Sequence, residues 1–242
     1  MSVSVAELPA MSQAQGNEEE IRSYLQKRLN RGLQQIAFFI IPSVVGFVFL
    51  GDLIVGAVFQ TGEFQAETTR TVWIVLAAYS LGLLTSTLGR LYSSTFFSLK
   101  DTRTPLRFAI FRVLSSTLLG LTFGFYGPKV FALDANWGVP GLAISASLAG
   151  WIEFYFLRRA LNKKIGITGL PLTFSLRVWG VAFVSVVLAL GVSKFFVSDS
   201  LHVILRAMIV LIIYGVSYFF IGHLMKIEQA RDLWQKVSRR LI

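Results

Sequence analysis

Few side chains in this 242-residue sequence could do chemistry, and the most informative is an arginine. Arg90 lies inside the long apolar stretch Thr71–Phe97. Gly82, Ser86, Gly89, Arg90 and Ser93 follow one another at helical spacing, so they share one face of a helix. Leu81, Leu84, Leu88 and Leu91 form the other stripe, which the pattern assigns to lipid. A charge at membrane depth costs from about 3 to more than 10 kcal/mol and is kept only with compensation. In one reading Arg90 contacts an anionic substrate in a water-filled cavity, where the guanidinium fork suits bidentate bonds to phosphate. In the other it makes a structural pair, or snorkels toward the inner surface. Glu153 could be its partner or a proton-linked group, but the position favours an acid reaching the inner surface beside Arg158. Asp52 reads as a solvated end near the outer interface, and Arg112 as a snorkelling residue near the inner one.

Catalysis finds little support. His202 and His223 are separated by an apolar span, about 31 Å at helical rise, and cannot share a metal. No Gly-rich phosphate loop, nucleophile elbow or HExxH pattern occurs. The chain has no cysteine, which excludes disulfides and thiolate sites. No metal site, cofactor or enzymatic activity is expected.

The elements that would carry these residues are membrane helices. Charged residues are 15% of the chain, against about 25% in soluble domains, and apolar residues reach 54%. Crossing a bilayer takes roughly 20 apolar residues in a helix. Six stretches qualify: Leu33–Phe59, Thr71–Phe97, Pro105–Phe125, Trp137–Leu157, Thr173–Val197 and Val203–Met225. The expected fold is an all-α membrane protein of six spans. A signal peptide is not indicated, because the first residues are polar and acidic.

Orientation follows from Lys and Arg near the span ends. Arg22, Lys27, Arg28 and Arg31 precede the first span; Lys100, Arg103 and Arg107 follow the second. Arg158, Arg159, Lys163, Lys164 and Arg177 sit between the fourth and fifth, and five more basic residues fill the C-terminal tail. The opposite side holds only Arg70, Lys129, Lys194 and Arg206. Both termini are therefore expected in the cytoplasm, with Lys100 and Lys163 on that side and Glu63 and Asp134 on the other. This dispersion accounts for the net charge of +10 without a nucleic-acid partner.

Local signals add detail. Asn17 followed by Glu18, Glu19 and Glu20 reads as a helix cap with acids in the first turn. Ile21, Tyr24, Leu25 and Leu29 then suggest an interfacial helix. Pro42 should interrupt the hydrogen-bond ladder of the first span. Gly141, Ser145 and Ala149, with Ala146 and Gly150, have small-xxx-small spacing and suit a central helix. The last two spans are uniformly apolar and suit a periphery. Ile227–Leu241 reads as a basic amphipathic helix on the inner leaflet.

The run Ala78-Tyr79-Ser80-Leu81-Gly82 through Arg90 to Asp101-Thr102-Arg103-Thr104-Pro105 resembles the MurJ (MviN) lipid II flippases, of the multidrug and oligosaccharidyl-lipid exporter superfamily. Leu8-Pro9 with Ser12, and Phe59-Gln60-Thr61-Gly62-Glu63-Phe64, match that family in the same order. Without any substrate, Asp101 or Thr102 could simply cap the third helix, with Pro105 in its first turn. The resemblance implies fourteen helices: two six-helix lobes around a cavity, then an extra pair. This chain aligns with the last six. It implies residues 33–157 as four helices of the second lobe and 173–225 as the extra pair, which would groove the polyprenyl tail. Residues 1–32, 158–172 and 226–242 would be cytoplasmic.

Arg90 is the one cavity residue carried over; the family's other headgroup arginines fall outside this chain. Arg112-Val113-Leu114-Ser115-Ser116 departs from the asparagine-containing stretch of many members. The implied function is part of a flippase for lipid II or a related polyprenyl-linked glycan, in the bacterial inner membrane, serving peptidoglycan synthesis and cell shape. Alternating access needs two bundles, so the chain alone is expected to be incomplete, and either to associate with a separately encoded N-terminal portion or to be an incomplete gene product. The alternative is a scaffold or partner subunit that transports nothing.

Overall fold

The computed structural model describes residues 17–59, 66–130, 137–196 and 201–241. Leu8, Pro9 and Ser12, the 60–64 motif, Glu63 and Asp134 lie outside them. In chain order the helices are α1 (Glu18–Phe49), α2 (Gly51–Phe59), α3 (Ala66–Ser98) and α4 (Arg103–Gly120). A π-helical segment, Leu121–Tyr126, leads to the short α5 (Gly127–Val130). There follow α6 (Gly138–Ile165), α7 (Leu172–Phe196), α8 (Val203–Leu224) and α9 (Glu228–Leu241). Among the described residues, six helices are long and apolar enough to cross a membrane, as the sequence led one to expect. The chain packs as two compact units, residues 1–37 with 78–170 and residues 38–77 with 171–242, so both cut across chain order.

In the first unit, the start of α1 is capped by Asn17: its side chain accepts from the amide of Glu18 at 2.7 Å, while Glu20 accepts from the amide of Asn17 at 3.2 Å. The expected interfacial helix is not a separate element, because α1 runs unbroken from Glu18. Its apolar stripe meets protein: Leu25, Leu29 and Leu33 are fully buried. The leucine stripe of α3 is also a correction. Leu84, Leu88 and Leu91 are buried and only Leu81 is exposed, since Leu91 fills the notch left by Gly32 of α1. The small residues of α6 behave as the spacing suggested. Gly141, Ser145, Ala149 and Gly150 are all buried. A Cβ on Gly141 would stand 2.4 Å from the carbonyl oxygen of Phe123, so only glycine admits this approach of the π-helical segment.

In the second unit the expected first span is two helices. It breaks at Leu50, and the break is held by Trp73, whose Nε1 donates to the carbonyl of Val48 at 3.1 Å. Trp73 lies so close to Gly51 that a Cβ there would be 2.4 Å from its Cδ1. Pro42 sits within α1 and has no amide to offer the carbonyl of Phe38. The hydroxyl of Tyr218 supplies that bond at 2.7 Å, and the hydroxyl of Tyr214 donates to the carbonyl of Pro42 at 2.8 Å. These two tyrosines, with Ala207 and Val210, form the buried face of α8. Val178, Val181, Ala182, Val186 and Ala189 form that of α7. At the end of α8, Lys226 takes φ 56°. This left-handed turn lets the amide of Ile227 bond the carbonyl of Gly222 at 3.1 Å, and Ile227, with Ala230 from α9, then packs on Gly222.

A double-mutant cycle checks the role of Tyr218. Tyr218→Phe leaves the buried Phe38 carbonyl unpaired and should cost about 1–3 kcal/mol. In a Pro42→Ala background residue 42 regains its amide, and the cost should fall below ~1 kcal/mol. Unfolding of the four proteins in mixed micelles reads both numbers; an equal cost in the two backgrounds would contradict the account.

Candidate substrate-contact site

Arg90 is positioned by the packing of α3 on α6. Ser147 donates its hydroxyl to the carbonyl of Ala78 at 2.6 Å. Gly82 lies against the same serine, where a Cβ would be 3.1 Å from its Cα. With Gly82, Leu84, Leu88 and Leu91 turned inward, the opposite stripe of α3 is open: Tyr79, Leu83, Arg90 and Phe97 are exposed, with Ser86 and Ser94 between them half-buried. Arg90 makes no ion pair among the described residues. Its guanidinium is thus presented on a mixed apolar and hydroxyl face. Gly89, by contrast, is buried, so the face inferred from spacing divides between a packed part and an open part.

Glu153 does not serve Arg90. It pairs with Arg112 of α4, Nη1 to Oε2 at 3.1 Å, which replaces the expectation that each snorkels separately. One signal in the sequence pointed here. The two residues stand about twenty positions either side of the turn between antiparallel neighbouring helices, which sets them level. Around them α4 and α6 are zipped by Phe108 and Phe111 against Phe156.

The loop after α3 resolves in favour of its aspartate as cap. Asp101 accepts from the amide of Thr104 at 3.0 Å and from its hydroxyl at 2.7 Å, whereas Thr102 makes no side-chain cap bond. Pro105 is buried in the first turn. Lys164, at the end of α6, donates to Asp101 Oδ2, the oxygen that also accepts from the Thr104 hydroxyl. A neighbouring knot escaped sequence reasoning. Buried Thr168 bonds the hydroxyl of Tyr92 and the side chain of Asn162, and Arg158 Nε donates to the Thr168 carbonyl at 3.0 Å. From α1, Gln26 donates to the carbonyl of Ile167 at 2.8 Å and Asn30 accepts from the amide of Gly169 at 3.0 Å. Gly169 has φ 140°, and a Cβ there would strike Arg158. Nothing in local composition marks these residues, because their bonds either cross 60 or more positions or join the end of α6 to the irregular loop after it.

Comparison with known proteins settles the kinship. The sequence model of the lipid II flippase MurJ family matches residues 1–226. The chain belongs to the MurJ family. It is 27% identical over 205 residues to the probable lipid II flippase MurJ of Buchnera aphidicola subsp. Baizongia pistaciae, covering 84% of this chain and 37% of that protein. It is 32% identical over 137 residues to the lipid II flippase MurJ of Thermosipho africanus, covering 56% and 26%. A solved structure, lipid II flippase MurJ in an inward closed conformation, superposes with a TM-score of 0.70 at 23% identity, over 93% of this chain and 43% of that one. The chain therefore spans less than half the length of these MurJ relatives. The shared fold is the helical membrane architecture described above.

Hydrogen bonds from Lys164 and Thr104 hold the Asp101 carboxyl well below the usual carboxylate range. A depressed acid contributes stability above its ordinary pKa of about 4 and loses it as pH falls toward the folded-state value. Asp101→Asn should therefore destabilise the protein at pH 7, and the deficit against wild type should shrink on acidification through pH 4 to 3. Melting temperatures of both proteins across that range check it; a constant deficit would assign the effect to geometry alone.

Proposed function

We propose that this chain supplies the later helices of a flippase for lipid II or a related polyprenyl-linked glycan, working by alternating access without covalent chemistry. The observation that carries the reading is the family match over residues 1–226 together with an Arg90 that stays exposed and unpaired on α3. In this reading Arg90 contacts the anionic headgroup through its fork. Residues 33–157 belong to the second lobe and residues 173–225 form the extra pair. A cavity of about 280 Å³ supports a place for the polyprenyl tail: Pro42, Gly46 and Ile54 line it with Leu211, Tyr214 and Tyr218. Its walls are almost entirely apolar, as an isoprenoid chain requires.

The setting is the bacterial inner membrane with both termini in the cytoplasm, and the partners are membrane lipids and the N-terminal helices of a MurJ-type flippase. No nucleic acid, cofactor or enzymatic step enters. A second reading, a membrane scaffold that keeps the fold and transports nothing, draws on the partial coverage of the relatives.

Arg90 offers the test. Placed within a complete transporter, Arg90→Ala should cut transport by about tenfold or more while abundance and insertion stay unchanged, and Arg90→Lys should retain part of it. Lipid II exposure on the outer face, read by a cleaving toxin in flippase-depleted cells, gives the number. Normal transport by Arg90→Ala would make the residue structural.

A further inference from the structure

The third and fourth spans frame an open recess, with a charged pair in its wall, that the reading of Arg90 does not use. Ala109, Arg112, Val113, Ser116, Thr117 and Glu153 line a cavity of about 350 Å³ between α4 and α6. Glu153 takes one edge of the guanidinium, at 3.1 Å from Arg112 Nη1. An arginine has five N–H donors, and the others on Arg112 have no protein acceptor among the described residues. The Arg112 side chain is 41% exposed and that of Glu153 15%, so the guanidinium is the group that faces outward. The hydroxyl of Thr117 is spent on the carbonyl of Val113 at 2.9 Å. That of Ser116, one turn from Arg112, has no acceptor among the described residues.

Arg112 stands about 14 Å into α4 from Arg103, a depth where open guanidinium donors are costly in lipid. The recess therefore calls for an occupant that accepts hydrogen bonds. A cation does not fit, because the nearer carboxylate is already covered by a guanidinium. A neutral acceptor would take up single donors but would match neither the charge nor the two-donor fork of the guanidinium as a phosphate does.

We propose that this recess binds the phosphate group of an anionic membrane lipid. Arg112 offers the free edge of its fork, Ser116 adds a hydroxyl donor, and Glu153 orients the guanidinium by holding its other edge. The tethered lipid source follows from the location: the recess opens on the flank of a spanning helix, where α4 is buried over only 6% of its apolar window. A phosphate carried on a lipid reaches that flank laterally; a free ion must leave water to do so. The site is separate from Arg90 and does not need the flippase reading, since binding is measured on the chain itself.

The test is native mass spectrometry of the full chain in detergent with equal phosphatidylglycerol and phosphatidylcholine. Wild type should retain phosphatidylglycerol over phosphatidylcholine by about fivefold or more, and millimolar inorganic phosphate should not displace it. Ser116→Leu fills the recess without touching the ion pair, and Arg112→Lys keeps the charge but loses the fork. Both should bring the ratio near one with phosphatidylcholine retention unchanged. No preference in wild type, or a preference kept by both variants, would overturn the site. Displacement by inorganic phosphate would overturn the lipid as its source.

Discussion

A helix crossing lipid has to satisfy every one of its own carbonyls, and Pro42 leaves that of Phe38 open in the middle of α1. Much of the second unit answers that one defect. Tyr218 must bring its hydroxyl to the Phe38 oxygen, which fixes the rotation of α8 and turns Tyr214 to the Pro42 carbonyl. With these tyrosines inward, Gly46 gives room to the ring of Tyr214. The break at Leu50 obeys the same rule, since Trp73 reaches the Val48 carbonyl that the ending helix exposes. The end of α8 does too, through the left-handed turn at Lys226. Irregular backbone is tolerated here wherever a side chain or a turn re-satisfies it.

The first unit meets the bilayer by a different device. Glycine and serine let backbones approach, as at Gly82 with Ser147 and Gly141 with Phe123. Van der Waals packing at that range replaces the hydrophobic drive that lipid removes. Three charge sites in this unit contrast. Asp101 and Lys164 close the loop at the helix ends, Arg112 and Glu153 pair between helices, and Arg90 stays open. An unpaired charge on a spanning helix is the most expensive of the three, which is why Arg90 is the residue proposed for substrate contact.

Six spans, the Asn17 cap, the close-packed face of α6 and the Asp101 cap were legible in the sequence because each is written in residues within a few positions of one another. The leucines of α3 were misassigned because, in a membrane protein, apolarity does not separate lipid from protein neighbours: Leu91 packs on Gly32 as readily as on an acyl chain. The break at Leu50 was hidden because its cause, Trp73, lies on another helix. The Arg112–Glu153 pair was readable only by aligning two helices about their turn. Arg90 itself was found from local spacing, but its isolation from acids required the packing.

These features fit a chain that shares a fold with MurJ flippases yet spans less than half their length. In proteins of alternating access, two bundles rock about a site at their interface. The central claim is that this chain provides one side of such a site. The most direct measurement is lipid II translocation in proteoliposomes, with the chain alone and then with an eight-helix N-terminal portion from a close relative. The account predicts no translocation above protein-free vesicles for the chain alone and clear translocation for the pair. Translocation by the chain alone would contradict it.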